Sequence, residues 1–294
     1  MREKSFQRTI NQSNECSGIG LHSGNEVKLK FLPAAVNTGI LFKCLDKSGL
    51  NSIEIKASFD NVSSTTLCTS ITSKCGKYTI ATVEHLMAAL WGCSIDNIII
   101  EVDAAEIPIM DGSAAEFVRL FENIGFKDQE ANKKYIEILK AVKVVDGDAF
   151  AELIPGDNFA INMEIDFPHQ LISKQNYHFN EEVSNFKRDI SSARTFGFFK
   201  EVEQLKQMGL ARGGSLDNAI VLDETGVMNE DGLRFEDEFV RHKVLDSIGD
   251  LYLAGYNIVG KFFGRKSGHK LNNSLLRRLF EDKDAWRIIE GPVC

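Results

Sequence analysis

An imidazole and two carboxylates recur at one-turn spacing in Arg241-His242-Lys243-Val244-Leu245-Asp246-Ser247-Ile248-Gly249-Asp250. His242 and Asp246 are four residues apart, and Asp250 is four further on. On a helix they project from neighbouring turns of one face, with Lys243 about 100° round from His242. Such a pair can ligate a metal, with the second carboxylate orienting a neighbouring group. It also fits a solvated helix with a chance His–Asp pair. Glu84-His85 is a second pair of interest. Read functionally, it is a metal ligand beside a general base; read otherwise, it is a surface pair. A catalytic metal needs three protein ligands and an open position. A histidine from elsewhere in the chain would complete His242 and Asp246 and put the site where two halves meet.

Three further residues carry possible chemistry. His269 sits in Lys266-Ser267-Gly268-His269, a glycine-flexed loop suited to a general acid or simply to an exposed ring. Thr195, in Arg194-Thr195-Phe196-Gly197-Phe198-Phe199, can donate to an oxyanion or cap the helix that follows. His22, between Gly20 and Gly24, reads as a turn residue, and His178 as a surface residue of an alternating strand.

The elements that must hold these residues follow from periodicity. Val240, Val244, Ile248 and Leu251 define the apolar face of a helix over 236–254, with Gly255 as its stop. Val83, Leu86, Met87 and Leu90 define another over 82–90, closed by Gly92. Ser113-Ala114-Ala115-Glu116 reads as a capping box opening a third helix that ends at Gly125. Helices are also expected at 200–208 and 271–280. Strands are expected at 27–31, 39–43, 63–69, 97–102, 135–138, 141–145, 149–154, 159–167, 219–222 and 257–263. Asp146-Gly147-Asp148 and Pro155-Gly156-Asp157 read as hairpin turns. Lys127 to Lys134 is polar and charged, and reads as a linker between two related halves of strands and helices.

Composition narrows the class. At 294 residues and 43% hydrophobic, the chain can bury a large core without staples. A net charge of −8 argues against a general nucleic-acid partner, although a local basic patch could still hold phosphate. The six cysteines form no CxxC pair, so reduced thiols are expected. The charged first ten residues hold no apolar signal segment, and no stretch has the length of a membrane span. A cytoplasmic protein without a stable membrane anchor is expected.

Several long motifs together are far more specific than any lone pair. Gly18-Ile19-Gly20-Leu21-His22-Ser23-Gly24, Thr82-Val83-Glu84-His85-Leu86, Ile107-Pro108-Ile109-Met110-Asp111-Gly112-Ser113, Ala193-Arg194-Thr195-Phe196-Gly197-Phe198, Asn229-Glu230-Asp231-Gly232-Leu233-Arg234, Arg241 to Asp250, and Lys266-Ser267-Gly268-His269 stand in one order along the chain. In that order and spacing they closely resemble the UDP-3-O-acyl-N-acetylglucosamine deacetylases (LpxC), the zinc amidases of lipid A synthesis. The resemblance implies an α+β fold of two related domains, 1–127 and 134–294, each a β-sheet layered against helices, with the active site at their interface. It implies one zinc, with iron(II) as the alternative, held by His85, His242 and Asp246. It further implies Glu84 as general base, His269 as general acid, Asp250 orienting His269, Thr195 stabilising an oxyanion, and Lys243 contacting the phosphate or sugar of the substrate. Inserted hairpin-like elements around 58–79 and 185–214 would shape the mouth and an acyl passage. The expected partner is a small UDP-linked acylated amino sugar, with no nucleic acid, acting on a monomer. The rivals are another zinc amidase or peptidase on this scaffold, and a catalytically silent nucleotide-sugar binder. A pure binder has no need of a base beside a metal ligand.

Overall fold

In a computed structural model of the chain, residues 6–45, 52–182 and 184–291 are described; one of the six cysteines, Cys294, and the first half of the charged N-terminal stretch lie outside them. Six helices are present among these residues: α1 (Glu84–Gly92), α2 (Ala115–Ile124), α3 (Phe186–Asp189), α4 (Phe199–Gln207), α5 (Glu238–Tyr252) and α6 (His269–Glu281). They pack against two main sheets, giving the mixed α+β architecture expected.

The first sheet has five strands in the order Asn14–Ile19, Glu26–Pro33, Ile98–Val102, Ile40–Leu45, Ser52–Lys56. Only Ile40–Leu45 and Ile98–Val102 run parallel; the other neighbours are antiparallel. Alternation in Glu26–Pro33 sends Val27, Leu29 and Phe31 inward, and Phe31 meets Phe121 of α2 edge-on at 5.1 Å. The second sheet has seven strands. Its long strand Asn257–Arg265 pairs antiparallel with Ala149–Ile154, and parallel with Phe159–Asp166 and with Lys134–Ile138. Helices α5 and α6 cover it.

Helix α1 lies on α5, so the order of layers is sheet, helices, helices, sheet. Every α1 residue from Glu84 to Trp91 is buried, because both sides of the helix have neighbours. Trp91 reaches across to Phe159, Phe179 and Phe186, with ring centroids 5.3–5.9 Å apart. The two helices touch at Gly249. A Cβ there would collide with the Glu84 carbonyl oxygen, so the side-chain-free position permits the approach.

Several expectations need correction. Pro155-Gly156-Asp157 is not a hairpin turn: Asn257–Arg265 sits between the strands it joins and pairs with both. A turn motif specifies a bend, not which strand comes to lie alongside. The supposed linker is a strand, Phe126–Asn132, paired antiparallel with Phe6–Ile10. Its charged side chains face solvent, which is why it read as unstructured. The expected strand over 63–69 is two short strands, Val62–Ser64 and Ser70–Thr72, and Leu67 between them has positive φ. No capping box forms: the Ser113 hydroxyl accepts from the Ala115 N–H at 3.1 Å, and Ala114 is the cap. Of the two inserts, only the second departs from a hairpin. The first is a three-stranded antiparallel meander, 62–64, 70–72 and 79–80. The second is a strand–helix–strand unit in which Phe196–Phe198 and Ile220–Leu222 run parallel around α4. A final strand, Trp286–Glu290, escaped the sequence reading; it pairs with Lys134–Ile138.

Gly249→Ala is expected to force α1 away from α5 and to cost ~1–3 kcal/mol, the usual range for overpacking. The measurement is the thermal midpoint together with a structure of the variant. An unchanged midpoint with α1 in place would contradict the close-contact argument.

Candidate active site

The α1–α5 contact brings His85 to the His242–Asp246 pair. Helix α5 presents His242 and Asp246 one turn apart, and His85 is the second residue of α1. His242 Nε2 lies 3.3 Å from Asp246 Oδ1, and His85 Nε2 lies 3.5 Å from the same oxygen. The two imidazoles meet edge to face at 5.0 Å. All three side chains are buried, and one ligand atom from each lies within 4.8 Å of the others.

The protonation pattern calls for a cation at this point. His242 Nδ1 is 3.0 Å from the Ala193 carbonyl oxygen, which can only accept. Nδ1 therefore carries the proton, and Nε2 turns a lone pair toward Asp246. Burial drives the His242 pKa down to about 4, so the ring is neutral near pH 7. Burial works to raise the Asp246 carboxyl, but His242 and Lys243 outweigh it and hold the group well below the usual carboxylate range. Asp246 Oδ1 and His85 Nδ1 have no hydrogen-bond partner among the described residues. A lone pair and an anionic oxygen thus face each other in a buried space. In a tetrahedral site with bonds of 2.0–2.1 Å, neighbouring ligand atoms stand roughly 3.3 Å apart, which the two distances to Asp246 Oδ1 match. The donor set fits a divalent metal ion.

Glu84 and His269 flank the cluster. Glu84 is fully buried, and burial raises its pKa against the lowering influence of His269 and His85. Its Oε1 is 3.8 Å from His269 Nε2. His269 is the first residue of α6 rather than part of a free loop, with Gly268 as the cap. Its Nδ1–H donates to Asp250 Oδ2 at 2.8 Å. Burial alone would lower the His269 pKa, but Asp250 and Glu84 outweigh it and bring the ring to about 9. Asp250, one turn beyond Asp246 on α5, thus lies next to His269.

The outer residues are less uniform. Thr195 lines the cavity over the cluster, a space of about 210 Å³. It does not cap α4, because strand 196–198 intervenes and the cap position is Phe198. The Lys243 ammonium donates to Asp246 Oδ2 at 2.7 Å; burial would lower its pKa, and Asp246 raises it on balance. His178 is indeed exposed and bonds Asn162. His22 is more than a turn residue. Both its ring nitrogens are buried without a partner among the described residues, and the ring lines the cavity. A second, more apolar cavity of about 350 Å³ shares Leu21, His22, Leu67 and Thr195 with the first and runs past Leu205, Ala211 and Met228. The largest cavity, about 560 Å³ between His169 and Phe199, contains none of the cluster residues.

Two residues at the centre carried no signal in the sequence. The Thr69 N–H donates to Glu84 Oε2 at 3.0 Å, and its hydroxyl donates to Asp250 Oδ1 at 2.6 Å, so one residue braces both carboxylates. Asn272, one turn into α6, donates to Asp250 Oδ2 at 2.9 Å. Their positions depend on chain crossings that no local pattern reports.

Comparison with known proteins shows the family. Residues 7–281 match the family described as UDP-3-O-acyl N-acetylglycosamine deacetylase (LpxC). The chain belongs to this family. Among the similar members are the UDP-3-O-acyl-N-acetylglucosamine deacetylases of Shewanella frigidimarina, 52% identical over 97% of this chain and 92% of that protein, and of Shewanella denitrificans, 51% identical over the same shares. The Shewanella violacea deacetylase is 51% identical over 98% of this chain and 96% of its own length. In this LpxC-family chain no described helix is long and apolar enough to cross a membrane.

Folding linkage makes the His269 environment testable. Because its pKa is raised above the ordinary 6.5 to about 9, the protonated ring stabilises the fold fully below pH ~6.5, and this contribution fades as pH rises through the raised value. In metal-free protein, an NMR titration should show one imidazole titrating well above the ordinary range. Asp250→Asn should bring it down. A wild-type His269 titrating at or below 6.5 would overturn the charge arrangement.

Proposed function

We propose that the chain hydrolyses the N-acetyl amide of a UDP-linked, 3-O-acylated N-acetylglucosamine, releasing acetate and the free amine, the first committed step of lipid A synthesis. The observation that carries this reading is the His85–His242–Asp246 cluster flanked on one side by Glu84 and His269, in a member of a deacetylase family. The metal is zinc, one ion per chain. When bound, it supplies a Lewis acid at the amide carbonyl and makes water acidic enough to deprotonate near neutrality.

The chain's own residues do the proton work. Glu84, with its pKa raised by burial, takes a proton from the attacking water as oxygen adds to the acetyl carbon. Thr195 donates to the carbonyl oxygen as it gains negative charge. His269, kept as imidazolium by Asp250, gives a proton to the amide nitrogen as the carbon–nitrogen bond breaks. An amide nitrogen leaves poorly unless protonated, so the rate falls as pH rises through the His269 pKa. Lys243 keeps donors beyond the one given to Asp246, and these serve a substrate oxygen. The apolar cavity past Leu205 and Met228 suits an acyl chain.

The boundary between two domains falls in the 127–134 segment, with α1 contributed by the first and α5 and α6 by the second. The enzyme works in the cytoplasm as a monomer.

The test is acetate release from the UDP-linked substrate, with zinc content assayed in parallel. Chelation should abolish turnover and added zinc restore it. Glu84→Ala and His269→Ala should each lose ~10²–10⁴-fold in rate while still binding zinc, and free N-acetylglucosamine should be a very poor substrate. Full activity without metal, or wild-type rates in Glu84→Ala, would sink the assignment. Comparable turnover of the free sugar would instead favour a generic amidase.

A further inference from the structure

One peptide unit is gripped from both sides by α5. The Ala193 carbonyl oxygen accepts from His242 Nδ1 at 3.0 Å. The N–H of the same peptide, that of Arg194, donates to Glu238 Oε1 at 3.0 Å. Glu238 and His242 stand one turn apart on α5, so the peptide bridges them outside the helix. The Glu238 carboxylate has 0% exposure. It also accepts from Arg194 Nε at 2.9 Å, from Arg194 Nη2 at 3.1 Å and from the Arg234 N–H at 2.6 Å. The Arg194 fork is itself buried and gives a further bond to the Gly232 carbonyl at 2.8 Å.

No step of the proposed hydrolysis uses this buried ion pair. Burying a carboxylate and a guanidinium is costly and seldom favoured for stability alone. We propose that Glu238 is a positioning residue for His242, acting through the Ala193–Arg194 peptide to hold the imidazole ready for a divalent metal ion. An anionic acceptor on the N–H polarises the peptide and deepens the negative charge on the Ala193 oxygen. That strengthens the bond from Nδ1–H, which fixes both the tautomer and the ring rotation that aims Nε2 past Asp246 Oδ1. The clamp also sets the next residue. Thr195 N–H donates to the Gly112 carbonyl, and Thr195 O accepts from the Ile220 N–H, both at 2.8 Å, so its height in the cavity wall follows from the same anchored segment.

This inference rests on the reading of His242 as a metal ligand, and the test separates the two. The measurement is zinc affinity of the purified protein by competition with a chelator, well below the melting temperature. Glu238→Gln keeps the shape but loses the charge and should bind zinc 10- to 100-fold more weakly. Because a half-broken buried ion pair can prevent folding, the double variant Glu238→Met with Arg194→Met is the second arm. Replacing both members by apolar side chains is often tolerated, yet it still removes the acceptor and should weaken zinc binding to the same degree. Tyr252→Phe is the structural control. It removes a buried α5 hydrogen bond to the Ile95 carbonyl, 2.7 Å long, and should lower the melting temperature without changing zinc affinity. Wild-type affinity in either folded Glu238 variant, with weak binding by His242→Ala, overturns the positioning role. Wild-type affinity in His242→Ala overturns the ligand reading beneath it.

Discussion

The structure depends on how closely two helices can approach. His85 comes from α1, and His242 and Asp246 come from α5, so the triangle of these three side chains is only as accurate as that crossing. Gly249 removes the one side chain that would hold the backbones apart, since any Cβ there meets the Glu84 carbonyl. Trp91, wedged among Phe159, Phe179 and Phe186, fixes the other end of α1. Two contacts at opposite ends of a nine-residue helix leave it little freedom to pivot. Ångström-level spacing within this triangle follows from backbone contact, and does not rely on the three side chains holding one another.

This packing concentrates charge. Glu84, Asp246 and Asp250 are all buried, and the two aspartates add to the cost of ionising Glu84. The site balances that load by giving each carboxylate its own donors. Asp246 takes Lys243, Asp250 takes His269, Thr69 and Asn272, and Glu84 takes the Thr69 N–H. The imbalance that remains is chemically useful. Glu84, whose donor is a neutral backbone N–H, is the one whose pKa rises, and the imidazole beside two carboxylates stays protonated. In the proposed hydrolysis, acid and base would be set apart by their neighbours rather than by residue type.

The sequence made the α5 triad legible because His242, Asp246 and Asp250 share one helix, where spacing alone sets direction. The resemblance to a known family brought in His85, Glu84 and His269, which periodicity left open between surface and site. Their burial could not be read locally. An apolar stripe shows one core face of α1, and the opposite face is closed by α5, some 160 residues later in the chain. Thr69 is less accessible still. It is an ordinary residue just before a short strand until Glu84 and Asp250 converge on it from two helices. Charged Phe126–Asn132 misled in the other direction, since a solvent-facing strand with polar side chains differs little in composition from a linker.

The place of Asn257–Arg265 has a consequence for synthesis of the chain. Its neighbours Ala149–Ile154 and Phe159–Asp166 leave the ribosome about a hundred residues earlier and then wait, each with an open edge, for the strand that belongs between them. Lys134–Ile138 waits longer, since one of its two partners is Trp286–Glu290. The second sheet therefore cannot close until Trp286–Glu290 has been made, whereas the first has all five strands by Val102. The half of the molecule that carries α5 and α6 is the last to become safe from pairing with other chains.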